Sequence, residues 1–183
     1  MIISQQKKLE NIAEYLIYMY QIEDIVRAFH FDVDQIIEVF VKPSLPDNSF
    51  LNQYRTWYQD IAHQMKSQRC EKEGHIESLR EIVIELIYLH NTLISIVNDE
   101  KYKNLVELAK LFLEEFKQKS QMSKHHDVEA LLHAMFMKLQ LKVRKQEISS
   151  ETEEAMDKMR IQLAYLSREY HRMKSGTWNF NPN

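Results

Sequence analysis

Polar residues stranded on apolar helix faces are the first candidates for chemistry in this sequence. Glu23 falls within about 20° of the centre of the stripe formed by Ile12, Leu16 and Met19, and Arg27 follows one helical turn later. Burying a lone carboxylate costs several kcal/mol, so Glu23 needs a partner. Arg27 at i+4 is the local one, and His90, on the apolar seam of a later helix, is a second. Two arrangements fit that pattern. Glu23, Arg27 and His90 line an interhelical pocket as an acid/base or ligand-holding cluster, or they form a buried ion pair that fixes helix register. The register-setting ion pair is the default.

A second constellation has the ligand chemistry of a metal site. His125, Glu129 and His133 are spaced i, i+4, i+8 and climb one flank of a helix; imidazole and carboxylate suit zinc, iron or nickel. Di-iron bundles need a Glu-x-x-His on each of two helices plus further glutamates, and the nearest match here is a single Asp60-x-x-His63. A mononuclear three-histidine site would need His63, His90 or His126 to converge on the helix. With 8 histidines in the chain, such spacings arise by chance. Solvated histidines near a helix N-terminus are therefore the default, and no cofactor is expected.

Other catalytic templates are absent. Cys70, the single cysteine, stands among Arg69, Glu71 and Lys72 near a helix C-terminus, a poor place to activate a thiolate. There is no Gly-x-Ser-x-Gly, Walker or dinucleotide fingerprint. The Met and aromatic stripes fit packing positions. Trp178 and Phe180, close together after Gly176, are expected to dock onto the chain itself or onto a second protomer.

The elements that must position these residues are helices. Two glycines and three prolines in 183 residues lie far below the roughly 12% of average usage, which excludes a turn-rich sheet protein. We expect an all-α antiparallel bundle of about seven helices, five or six of them long. The helical domain spans 1–174, and a non-helical tail spans 175–183. The first helix is predicted from Ser4 to Phe29, buried on more than one side. A short second one, capped by Asp32 with Gln35 reaching back, ends before Pro43 and Pro46. The third, Phe50 to Lys72, carries Phe50, Tyr54, Trp57, Ile61 and Met65, with Gly74 as stop signal. The fourth, His75 to Val97, has the seam Leu79, Val83, Leu86, His90, Leu93 and Val97 and is the expected centre of the bundle. Asn98 or Asp99, then Ser123 and Ser150, are the predicted starts of the last three.

A net charge of −3 argues against nucleic acid, whose affinity comes from phosphate neutralisation. The densest basic run, Lys138, Lys142, Arg144 and Lys145, is expected to be a solvated helix face. One cysteine excludes an internal disulfide, and Met1-Ile2-Ile3 is too short for a signal h-region, so a cytoplasmic location is expected, with no membrane partner.

The stretches Gln5-Gln6-Lys7, Glu10-Asn11-Ile12-Ala13-Glu14-Tyr15 and Gln21-Ile22-Glu23-Asp24 resemble the start of the DUF4924 family. These are bacterial helical proteins, mainly from Bacteroidetes, catalogued as a domain of unknown function. The resemblance implies a bacterial cytoplasmic protein and one domain; it carries no site residues. Full helical patterning without a catalytic constellation leads to the functional expectation of a non-enzymatic interaction or scaffold protein, homo-oligomeric or with a protein partner. The alternative is a small-molecule- or metal-binding bundle with an interhelical polar pocket.

Overall fold

Few glycines and prolines leave the chain to be punctuated by side-chain caps, and the caps decide where its helices begin. A computed structural model describes residues 2–178, with side chains from residue 4 onward. In chain order the helices are α1 (Ile2–Glu10), α2 (Ile12–Ala28), α3 (Val33–Gln35), α4 (Leu51–Ser67), α5 (Glu77–Ser95), α6 (Glu100–Lys119), α7 (Asp127–Val143) and α8 (Ser150–Lys174). α3 runs into a π-helical stretch, Ile36–Val41, and a 3-10 turn, Lys42–Ser44. No strand occurs among the described residues. The fold is all-α.

The expected single first helix is two. Asn11 adopts extended backbone (φ −154°), and its Oδ1 accepts from the N–H groups of Ala13 and Glu14 at 3.1 and 3.2 Å. The Ser167 hydroxyl on α8 donates to the same oxygen at 2.7 Å, and His171 Nε2 accepts from the Ile12 N–H at 3.1 Å. An Asn side chain competes for helix amides, and here α8 supplies two further partners, so the helix restarts.

Caps also shift other boundaries. Asp99 starts α6 as expected, accepting from the Tyr102 N–H at 3.0 Å. α7 starts at His126 rather than Ser123: His126 Nδ1 accepts from the Val128 N–H, and Glu129 Oε2 accepts from the His126 N–H at 2.8 Å. α8 is capped by Ser149, one residue before the expected Ser150. α4 stops at Ser67 because Arg69 turns left-handed (φ 60°) and the Cys70 N–H closes on the Met65 carbonyl at 2.9 Å. A connection over 68–76 results, and it carries Gly74 and His75. On α4 itself Tyr58 is fully buried while Phe50 stays 40% exposed, the reverse of its expected role.

The bundle is organised around α8, not α5. α8 packs against α2, α5, α6 and α7, whereas α2 packs on α1, α4, α7 and α8. The reason is periodicity: Met156, Met159, Leu163, Leu166 and Tyr170 keep a buried seam along nearly all of α8. α5 buries Leu79, Val83, Leu86, His90 and Leu93 on one side but leaves Ile84 and Tyr88 outside. Lys138 does not belong to a basic face. It is buried and holds Glu153 and Asp157 of α8 at 2.8 and 3.5 Å. Trp178 is half-buried against the core, and Phe180 lies outside the described residues. No single helix among the described residues is long and apolar enough to cross a membrane.

Candidate functional site

Glu23 is fully buried on α2, as its place on the apolar stripe requires. Its partner is neither Arg27 nor His90. Glu23 Oε1 accepts from the Ile76 N–H at 2.9 Å, and Oε2 lies 2.5 Å from His75 Nδ1. Both groups come from the connection that precedes α5, so one carboxylate ties the start of α5 to the middle of α2. The Tyr20 ring, one turn before Glu23, stacks on the His75 imidazole with centroids 3.7 Å apart and planes 15° from parallel. Burial, with Glu23 and Glu129 adding to it, pushes the Tyr20 phenol well above its ordinary pKa, so it stays neutral.

The expected cluster of Glu23, Arg27 and His90 is thus taken apart. Arg27 turns to the end of the α4–α5 connection, donating to the carbonyls of Cys70 (3.0 Å) and Gly74 (2.5 Å) and to Asp24 (3.0 Å). Glu23 already holds two donors, and Arg27 instead satisfies two carbonyls of the 68–76 connection and the Asp24 carboxylate. His90 is buried elsewhere, with Nδ1 2.7 Å from the Tyr102 hydroxyl and its ring edge-on to His126. Burial and the neighbouring His126 lower its pKa to about 4. His90 is a neutral core residue bonded to a tyrosine.

His75 opens onto a cavity of about 640 Å3 between α2, α5 and α7, whose lining also holds Tyr20, Arg80, His125, Glu129 and His133. All three members of the expected metal set, His125, Glu129 and His133, therefore line one cavity with an imidazole that comes from another element. They do not form a metal-holding group: Glu129 spends Oε2 on the cap of α7, and no set of three His, Cys, Asp or Glu side chains among the described residues is arranged to hold a metal ion. Burial, then His75 and His125, hold the His133 pKa below the ordinary imidazole value.

The chemistry follows from what Glu23 does to His75. A carboxylate only accepts, so the shared hydrogen sits on His75 Nδ1, and the neutral ring keeps its lone pair on Nε2. A buried carboxylate that orients an imidazole in this way sets its tautomer. The His75 side chain is 35% exposed, so the ring is anchored at one nitrogen and reachable from the cavity. Around it, Arg80 has no ion-pair partner among the described residues. α5 and α7 both begin at the cavity rim, which brings the positive ends of two helix dipoles to it, against the single C-terminus of α6 at Ser120.

His75 carried no sequence signal beyond its place just before a helix start. Its partner stands 52 residues away on another helix, beyond the reach of any local spacing rule.

Comparison with curated proteins and with solved structures returns no match. A family model described as a domain of unknown function (DUF4924) matches residues 1–177, almost the entire sequence. The chain belongs to the DUF4924 family.

Proposed function

We propose that this chain binds a small oxyanion-bearing molecule in the cavity at His75, which serves as its central hydrogen-bonding group. The observation that carries this reading is the 2.5 Å Glu23–His75 contact at the wall of a cavity shared with His125, His133 and Arg80. A fully buried carboxylate that only fixed register would have no need of a half-exposed imidazole facing a cavity. Arg80, with no ion-pair partner among the described residues, favours an anion there, and the lone pair on Nε2 of His75 accepts a hydrogen bond from the bound molecule.

Histidine ring resonances followed by NMR while inorganic phosphate is added at fixed pH and ionic strength test this. Saturable shifts are expected at His75, His125 and His133 but not at His30 or His63. Affinity falls about tenfold in Arg80→Ala and in His75→Asn, the loss of one charge-assisted or oriented contact. Absent shifts, or shifts spread evenly over all histidines, would remove the proposal.

A separate observation favours an interaction protein. Ile84 and Tyr88 on α5 are 48% and 69% exposed, and Leu108 and Leu111 on α6 are 53% and 70% exposed. Large side chains in pairs at i, i+4 and i, i+3 make apolar strips of the kind that a partner helix covers. Self-association through α5 predicts a concentration-dependent mass by light scattering that collapses to the monomer in Tyr88→Lys. A constant monomer mass at all concentrations would exclude that assembly.

A further inference from the structure

A cavity larger than the one at His75 lies elsewhere among the described residues. It lies between α1, α5 and α8 and has a volume of about 1000 Å3, at the upper end of the range that takes small molecules. Its walls are mainly apolar. Ile12 and Ile82 form part of the floor with the Tyr170 ring, all nearly buried, and Leu9 of α1 stands at the lip, 80% exposed. A leucine left in water at the edge of an apolar cleft marks surface that a hydrocarbon occupant would cover.

The polar groups of this cleft carry one sign in excess. Lys8, Arg168, Arg172 and Lys174 line it against Glu81 and Glu85, on a chain whose net charge is negative. Three of the four cations have a carboxylate partner. Lys174 Nζ is 2.6 Å from Glu85 Oε1, whose other oxygen accepts from the Tyr170 hydroxyl at 2.5 Å. Arg168 and Arg172 both bond the buried Glu169, at 2.7 and 3.1 Å, and keep side-chain exposures of 53% and 46%. A guanidinium has five donors, so a carboxylate at its back leaves donors for a second anion in front. Lys8 is exposed, has no ion-pair partner among the described residues, and rests its ammonium 5.5 Å from the Tyr15 ring. His171 adds no charge. Its Nε2 accepts from the Ile12 N–H, and burial lowers its pKa.

We infer that this cleft binds a single-chain amphiphile with an anionic head, a free long-chain carboxylate, its hydrocarbon against Leu9, Ile12, Ile82 and Tyr170 and its carboxylate at Lys8 and the outer donors of Arg168 and Arg172. The apolar walls account for the chain, and the excess of cations at the rim accounts for the head. The site shares no residue with the cavity at His75 and does not depend on what that cavity binds.

Calorimetric titration of the full chain with dodecanoate below its micelle concentration tests the inference. Dodecyltrimethylammonium, with the same hydrocarbon and the opposite charge, is the control. One-to-one saturable binding of dodecanoate is expected, with no saturable binding of the cationic analogue. Lys8→Glu and Leu9→Asp, both at exposed positions that leave the core untouched, each weaken dodecanoate by about tenfold or more, while His75→Asn leaves it unchanged. Equal binding of the two amphiphiles, full affinity in both exposed variants, or retention by anionic phospholipid vesicles without binding of free dodecanoate would each overturn it, the last by assigning the cleft to a membrane surface.

Discussion

Replacing Glu23 with Ala is expected to destabilise the fold by about 3 kcal/mol, the range in which loss of one partner from a buried polar pair falls. Three consequences add. The Ile76 N–H, on a residue only 2% exposed, loses the oxygen that accepts it at 2.9 Å, a cost of about 1–3 kcal/mol. His75 loses the anchor of Nδ1, and a void opens on the stripe between Met19 and Val26, both nearly inaccessible. Partial exposure of His75 caps the total, since its ring can turn to solvent. Urea unfolding midpoints measure the effect. Glu23→Gln should cost less, because its amide oxygen still accepts from the Ile76 N–H, although its NH2 then faces a donor nitrogen. A double-mutant cycle with His75→Ala separates the two bonds and should return a coupling of about 1 kcal/mol or more. A Glu23→Ala loss below about 1 kcal/mol would mean that the α4–α5 connection is anchored by Arg27 alone.

The burial of Glu23 was legible from the sequence, and its partner was not. Helical periodicity places a residue on a face to within a few tens of degrees, which is enough to say that a carboxylate is inside. It is silent on which distant segment meets that face. The local candidate, Arg27, was drawn off by backbone carbonyls that exist only because α4 ends at Ser67, and that early ending comes from a left-handed Arg69, a residue type with no preference for it. His90 shows the same division. Its seam position correctly put it inside, while its bond to Tyr102 joins the two sides of the short turn between α5 and α6.

The hub of the bundle was misjudged for a related reason. α5 looks more central because it is more apolar, with Ile82, Val83, Ile84, Leu86, Ile87 and Leu89 in close succession. α8 is outwardly polar, yet its seam runs unbroken, and its polar side chains bind the ends of other helices: Ser167 and His171 hold the start of α2, and Tyr165 donates to the α6 cap Asp99 at 2.8 Å. Continuity of the seam, not mean hydropathy, goes with packing against four other helices, where α5 packs against three.

The second large effect is a loss of stability in mild acid, and its source is His90. In the folded chain its pKa is about 4, against 6.5 for an ordinary imidazole. Between those values the unfolded chain takes up a proton that the folded chain refuses, so stability is full above about pH 6.5 and declines as the pH falls towards 4. A difference of about 2.5 units is worth at most about 3 kcal/mol. The groups around the ring set the sign. Burial dominates, His126 beside it opposes a second positive charge, and Asp127 pulls weakly the other way; the Tyr102 hydroxyl holds Nδ1 at 2.7 Å. His133 and His171, whose pKa values are also lowered, act in the same direction. Urea midpoints measured at several pH values between about 7.5 and 4.5 should fall steadily, and His90→Phe, which keeps the ring volume and removes the proton, should flatten most of that slope while costing stability at neutral pH through the orphaned Tyr102 hydroxyl. If His90→Phe kept the full acid slope, the proton would be entering at His133 or His171 instead, the other two imidazoles whose pKa values burial lowers.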